Sequence, residues 1–435
     1  PHLNRAAIGQ RIAVPTTDGK ATFFEIDRTR STNLGNTIVA AKNLQTGDRM
    51  ILTISPSGDT LGWFSHGPSA HRIAISGSDQ ILYEDRGSQS LSESVQDDVI
   101  KVPIPQDLVT GSGKKQERQT RSLQLADPSS TDIAELDFLV YADASLSNGP
   151  LVVDHHFAEF NQIMIDSQVY LRARVARLKA LQIPLSFSAY EILDFVRSNG
   201  DWPLDLSEAG ADLTTVFVRN SRDLPSIFCG IAGMPSPINN LSINDPAATQ
   251  AHINSTLNFL QGHDWMSLTR IYCTGTFAHE VGHNLGSGHD WRAIEKDEET
   301  SLTVLSYSKG MSWLKHPELA LRWPAGHCPS EEGPFGTVMA VRFTGGCYRK
   351  LLLSSPNLTC YTDEENIDWA CGLPEGETYE AYNVRAFNQL RFIYADKRPR
   401  RLPNITDDEC SSENVVLTSQ LEVDNFQETY GQGRI

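Results

Sequence analysis

"FAHEVGHNLGSGHD", residues 277–290, packs three histidines and a glutamate into fourteen positions. "GTFAHEVGHNLG" reads as a helix that Gly286 ends. His279 and His283 lie four apart, so a helix carries both imidazoles on one face, one turn from each other. Glu280 follows the first and can reach a water beside them. Glycine at 286 permits a left-handed exit. The chain then turns back and delivers His289. Three neutral imidazoles suit a zinc ion and leave its fourth position open, as a catalytic site requires. A bare H-E-x-x-H arises by accident at a rate of about a few per cent in a chain this long. Gly286 and His289 at their offsets make accident a poor explanation.

The 435 residues exceed one ordinary core and predict two or three domains. Formal charge is 37 − 54 = −17, which disfavours nucleic acid and anionic lipid as partners. No apolar run reaches the roughly 18–20 residues of a membrane helix, and the opening "PHLNRAAIGQ" has no leader pattern. The seven cysteines begin only at Cys229 and include no C-x-x-C pair. That crowding predicts a disulfide-stapled second half, an oxidising compartment and a secreted protein, with one thiol left over or paired outside the chain.

Residues 1–110 read as a β-rich domain, with alternating strands such as "ATFFEIDRT" and a hairpin tip at "SPSGDT". Residues 111–131 read as a flexible linker, where Lys114, Lys115, Arg118 and Arg121 make a candidate processing site. Residues 132–398 alternate α and β, and 399–435 form a C-terminal extension. "DHHFAEFNQIMIDSQVY" predicts a helix with Phe157, Phe160, Ile163 and Met164 on its buried face and His155 and His156 solvated at its start. "VARLKALQIPLSFSAYEIL" predicts further strand, and "IFCGIAGMP" a short strand ended by its proline. His263 and Asp264 predict a surface turn, and His316 and His327 loop positions. Asn240, Asn254, Asn357 and Asn404 head N-x-Ser/Thr sequons.

The full motif H-E-x-x-H-x-x-G-x-x-H resembles the zinc signature of the metzincin metallopeptidases, and Asp290 resembles their adamalysin/reprolysin branch, in a bacterial-type form. "GTVMAVRF" is similar to the family's methionine turn, with Met339 as the matching residue. Val341 stands where astacin-like and serralysin-like members carry tyrosine. "LDFLVYAD", "GADLTTVFVRN", "CYRKLLLSSPNLTC" and "GLPEGETYEAYNVRAFNQL" extend the resemblance over about Ile133 to Asp396. The cysteine pattern and the long insert between Asp290 and Met339 depart from it.

The resemblance implies an α+β to α/β catalytic domain: a twisted mixed sheet with an active-site helix and a methionine turn, behind an N-terminal β-rich domain. It implies one catalytic Zn2+ on His279, His283 and His289, with Glu280 as general base, and protein or peptide substrates. Substrate would lie extended and antiparallel to an edge strand at Gly230, Ile231, Ala232 and Gly233. A structural Ca2+ belongs to many members of the clan. The first domain resembles a propeptide, so the chain's own N-terminal domain becomes a candidate inhibitor. Residues 1–228 hold no cysteine to block zinc; His66, His71, the Asp residues of 79–98, or steric cover alone remain as devices. The rival class is a non-enzymatic adhesion or binding module with a structural zinc site, which would be expected to lose Glu280 or a ligand.

Overall fold

In the computed structural model the described residues are 7–15, 21–66, 69–76, 79–84, 99–103, 123–146, 148–198, 201–219, 229–236, 243–246, 248, 250–271, 273–289, 303–311, 335–340, 348–349, 351–362, 368–395 and 397–399. The alternating N-terminal segments form seven strands: β1 (Arg11–Pro15), β2 (Ala21–Ser31), β3 (Thr37–Lys42), β4 (Arg49–Ile54), β5 (Thr60–His66), β6 (Ser69–Ser76) and β7 (Asp79–Glu84). They pair in chain order, all antiparallel, as one sheet. The predicted hairpin tip joins β4 to β5, where Ser55 N donates to Asp59 O. Successive side chains point to opposite faces. Val39, Met50, Leu52 and Phe64 therefore share one apolar cluster, while Ile38, Ile51 and Trp63 belong to another.

The second sheet is built from β8 (Val99–Pro103), β9 (Ala134–Asp143), β10 (Leu171–Leu181), β11 (Leu213–Val218), β12 (Gly230–Ser236) and β13 (Met266–Arg270). Its order is β10-β9-β11-β13-β12-β8. The first four strands of that order are mutually parallel, β12 runs antiparallel to β13, and β8 runs parallel to β12. The helices are α1 (Gly149–Asp166), α2 (Ala189–Ser198), α3 (Trp202–Ala209), α4 (Gln250–Gly262), α5 (Thr276–Asn284) and α6 (Asn383–Tyr394). Two short pairs complete the described strands: β14 (Phe335–Gly336) with β15 (Tyr348–Arg349), and β16 (Thr359–Thr362) with β17 (Asp368–Ala370).

Helices cover both faces of this sheet, which is why "FLVYA" and "LTTVFV" read as continuous apolar runs. On one face Phe157 and Phe160 of α1, Phe277 and Val281 of α5 and Leu390 of α6 meet Phe138 and Phe217. On the other, Ile192 and Leu193 of α2 and Leu206 of α3 cover Val216, Ile231 and Leu268. This is the expected mixed α/β catalytic architecture behind a β-rich domain.

Several expectations are corrected. His155 and His156 are buried, at 8% and 2% exposure, because the N-terminal sheet lies over the face of α1 that amphipathicity assigned to water. Thr53 of β4 bonds His155 Nδ1 at 3.2 Å, and Ala158 of α1 packs with Ile38, Ile51 and Trp63. The stretch from Val175 is strand only to Leu181; Ala189 onward is α2. Strand β12 continues through Pro235 to Ser236, so the proline does not end it. Strand β12 is also not the edge of its sheet, since β8 lies outside it. The last residues of the basic segment are held in place: Ala126 N donates to Gln389 O, and Arg391 donates to Ser130 O and Asp132 O. Disulfides Cys229–Cys273 and Cys360–Cys371 bear out the stapled second half. The other three cysteines, His316, His327, Asp290, Val341 and residues 400–435 lie outside the described residues.

Candidate metal centre

Helix α5 begins after Gly275 and has all nine residues buried. Phe277, Ala278 and Val281 anchor it in the core, which turns the 279/283 face towards the one remaining direction. Leu285 caps it, and Gly286, at φ 83°, takes the left-handed exit read from the sequence. A side chain at 286 would also meet Val304 at 2.5 Å. Gly288 then bridges Lys309, which carries His289 back over the helix.

The three imidazoles converge through their Nε2 atoms. His279 and His283 are 3.1 Å apart, His283 and His289 3.1 Å, and His289 and His279 3.3 Å. Zinc–nitrogen bonds of ~2.0–2.1 Å in a tetrahedron would hold such atoms about 3.4 Å apart, so the spacing fits that ion. The outer nitrogens fix the tautomers. His279 Nδ1 donates to Val338 O at 2.7 Å, and His283 Nδ1 to Ser287 O at 2.8 Å. A carbonyl oxygen only accepts, so each Nδ1 carries the proton and each Nε2 keeps its lone pair. Lone pairs aimed at one another from 3.1 Å repel unless a cation lies between them. The donor set, its burial and its second contacts are therefore those of a zinc site. Among the described residues it is the one group of three or more His, Cys, Asp or Glu placed to share an ion.

Glu280 is 1% exposed and lies against β12. A Cβ added at Gly230 would stand 2.5 Å from Glu280 Oε1. The strand predicted to meet substrate thus passes directly beside the predicted base, and only a glycine allows that approach. Met339 lies beneath α5: its Sδ would be 2.3 Å from a Cβ at Gly282. Ile231, Ala232 and Gly233 continue β12 along the helix, where Asn284 Nδ2 donates to Gly233 O at 2.6 Å and Met266 O at 3.2 Å. The sequence reading missed Asn284, Gly282, Val338 and Ser287. An amide on the buried side of an apolar helix was the available signal for Asn284; the two carbonyl partners leave no trace in residue type.

His71 stacks on Phe64 at 4.7 Å within the N-terminal domain and is not part of the triad. His263 lies tilted against Trp265 with ring centroids 4.3 Å apart, and burial lowers its pKa to about 4. Asp264 pairs with Arg398, so these two residues belong to the turn between α4 and β13.

A mixed sheet, a helix bearing two of three converging imidazoles, a glycine turn and a methionine beneath them make up a metzincin-like architecture. Residues 153–290, which hold all three converging histidines, match the model of metallo-peptidase family M12B, reprolysin-like. A peptidyl-Asp metalloendopeptidase of Pseudomonas aeruginosa is 31% identical over 197 residues, covering 45% of this chain. The chain spans 27% of the length of that relative. Among solved structures, a chaperone–substrate complex aligns over 78% of this chain and 40% of its own, at 15% identity and a TM-score of 0.37. Metalloproteinase-II from Bacteroides fragilis aligns over 65% of this chain and 83% of its own, at 11% identity and a TM-score of 0.35.

Proposed function

We propose that the chain is a secreted zinc-dependent endopeptidase that hydrolyses peptide bonds in proteins and is held latent by its N-terminal domain. The observation that carries the reading is the convergence of three Nε2 atoms beside a buried glutamate. His279, His283 and His289 would hold the ion, and Met339 would support it from below. Zinc, when bound, supplies Lewis acidity and positive charge at the scissile carbonyl. Glu280 takes a proton from the attacking water on its carboxylate and delivers it to the leaving amine nitrogen. Gly230, Ile231, Ala232 and Gly233 orient an extended substrate by backbone pairing along β12. Two disulfides support an oxidising, extracellular location. No helix among the described residues is long and apolar enough to cross a membrane. A calcium site has no support from the described side chains and is left out of the proposal. The name of the Pseudomonas relative makes peptides containing Asp the first substrates to try.

Glu280→Ala decides the reading. Zinc content should stay at one ion per chain and the melting temperature should hold, while hydrolysis drops about 10²–10⁴-fold. Undiminished hydrolysis in that variant overturns it.

A further inference from the structure

Strand β12 runs along helix α5 and meets it at three points. A Cβ at Gly230 would stand 2.5 Å from Glu280 Oε1, Asn284 Nδ2 donates to Gly233 O at 2.6 Å, and a Cβ at Gly286 would lie 3.5 Å from Pro235 Cγ. The middle contact is a hydrogen bond, and it falls at a break in the sheet. Strands β12 and β13 pair as Gly230↔Thr269, Ile231↔Leu268 and Ala232↔Ser267, and their register ends there. One step further would set Gly233 opposite Met266. Arg270 N donates to Cys229 O, and hydrogen-bonded pairs recur at every second position of an antiparallel ladder. A continued ladder would therefore have Gly233 and Met266 exchange backbone bonds. Instead both carbonyls accept from Asn284 Nδ2, Met266 O at 3.2 Å. A side-chain amide of α5 stands in for the missing rung.

We infer that Asn284 is a positioning residue: its amide is a wedge that parts β12 from β13 and holds β12 at a set distance from Glu280 and the three histidines. The inference rests on the endopeptidase reading above and deepens it. The chemistry of the amide supports it. An NH2 group has two hydrogens, and two carbonyls face this one, so the partners fix which end of the amide is which. Asn284 is fully buried, yet its Oδ1 has no hydrogen-bond partner among the described residues. A buried acceptor left unpaired destabilises the fold. The residue is placed for what it donates, with a penalty at Oδ1 that an apolar side chain of similar size would avoid. Its position supports the same reading. Asn284 lies four residues after Glu280, on the same face of the helix, and directly after His283. Whatever holds β12 to Asn284 therefore holds it to the proton acceptor and to the metal ligands. A substrate paired along β12 takes its register from that strand, and a misplacement of about 1 Å lowers a rate about a hundred-fold. A peptide too short to pair along β12 draws nothing from the wedge.

The test uses the full zinc-loaded chain and Asn284→Leu, which keeps the bulk and removes both donors. Each chain is given an extended peptide of about eight residues and a blocked dipeptide. The quantity compared is kcat/KM for the long peptide divided by that for the short one, since the fraction of active chain cancels. In Asn284→Leu this ratio should fall at least about ten-fold, through a higher KM and a lower kcat for the long peptide, with zinc still at one ion per chain. Ile393→Ala, buried in α6, is the control for a general loss of packing and should keep the parent's ratio. Asn284→Ser, with a single hydroxyl donor, should fall between parent and Asn284→Leu, and it carries the test if the leucine variant does not fold. Amide exchange at Gly233–Ser236 should be faster in the Asn284 variants than in the control. A ratio equal to the parent's in the Asn284 variants overturns the inference and leaves the peptidase reading standing. An equal fall in the control assigns the effect to stability and overturns it too. No hydrolysis of either peptide by the parent sinks the peptidase reading. Exchange then decides the wedge alone: faster exchange keeps it, and unchanged exchange removes it.

Discussion

At the scale of the residue, the site is set as much by side chains that are missing as by those present. Gly282 lies between the two helical ligands, and the space a Cβ would need is held by Met339 Sδ. Gly282→Ala should gain up to about 1 kcal/mol of helix propensity. Overpacking against a buried methionine costs about 1–3 kcal/mol, so the net effect is a loss. We expect a lower melting temperature and weaker zinc binding. In a Met339→Ala background the same substitution should become neutral or favourable, because the colliding atom is gone. Equal losses in both backgrounds would refute the contact. The converging histidines and the turn glycine were legible in the sequence because spacing on a helix fixes direction. The role of Gly282 was not, because close approach from a segment 57 positions away has no local pattern.

At the scale of the element, α1 explains why the histidine pair was misread. Periodicity assigned one face of this helix to the core and left His155 and His156 to water. Residues Gly149 to Met164 are nearly all buried, because a second domain covers the other face. A helix buried on both sides by separate domains keeps polar residues on one of them, and that pattern matches a solvated face. Asp154 shows the cost. It accepts bonds from Thr32 and Asn36, yet burial pushes its pKa up to about 6. A carboxyl with a raised folded-state pKa weakens the folded state above that pKa, and the penalty disappears as pH falls towards the unfolded value. Asp154→Asn should therefore raise the melting temperature relative to the parent more at pH 7 than at pH 4. A difference that does not change with pH would contradict this. His155 acts in the opposite sense. Burial beside His156 and Arg72 holds its pKa well below the ordinary value, so its penalty grows as pH falls below about 6.5. The strands were legible where alternation or an apolar run was strong, as in β2, β9 and β11. The division between β10 and α2 was not, because "IPLSFSAYEIL" has short apolar runs that suit either state.

At the scale of the whole molecule, the metal and the second domain act on the same sheet. Zinc ligands come from α5 and the turn after it, and their outer nitrogens reach Val338 and Ser287. Removing the ion should therefore loosen the methionine turn along with the ligands. At a thousand-fold excess of metal over its Kd, binding adds about 4 kcal/mol to stability. Chelation should lower the catalytic domain's melting transition by calorimetry and leave the transition of the seven-stranded sheet less affected. Coincident, equal shifts in both would argue that they unfold as a single unit. The pairing of residues 99–103 with 232–236 was not legible in the sequence, since it is a long-range match of two short strands. The Cys229–Cys273 bridge bears on the life of the protein as well as its shape. It ties the start of β12 to the loop entering α5 across 44 residues, a constraint of about 4 kcal/mol on the unfolded chain. In a cytosol rich in glutathione that tie would be missing, and β12 and α5 would be held together by packing and by the Asn284 hydrogen bond to Gly233 O. Chain folded under oxidising conditions should therefore melt higher than the same chain with this bridge reduced.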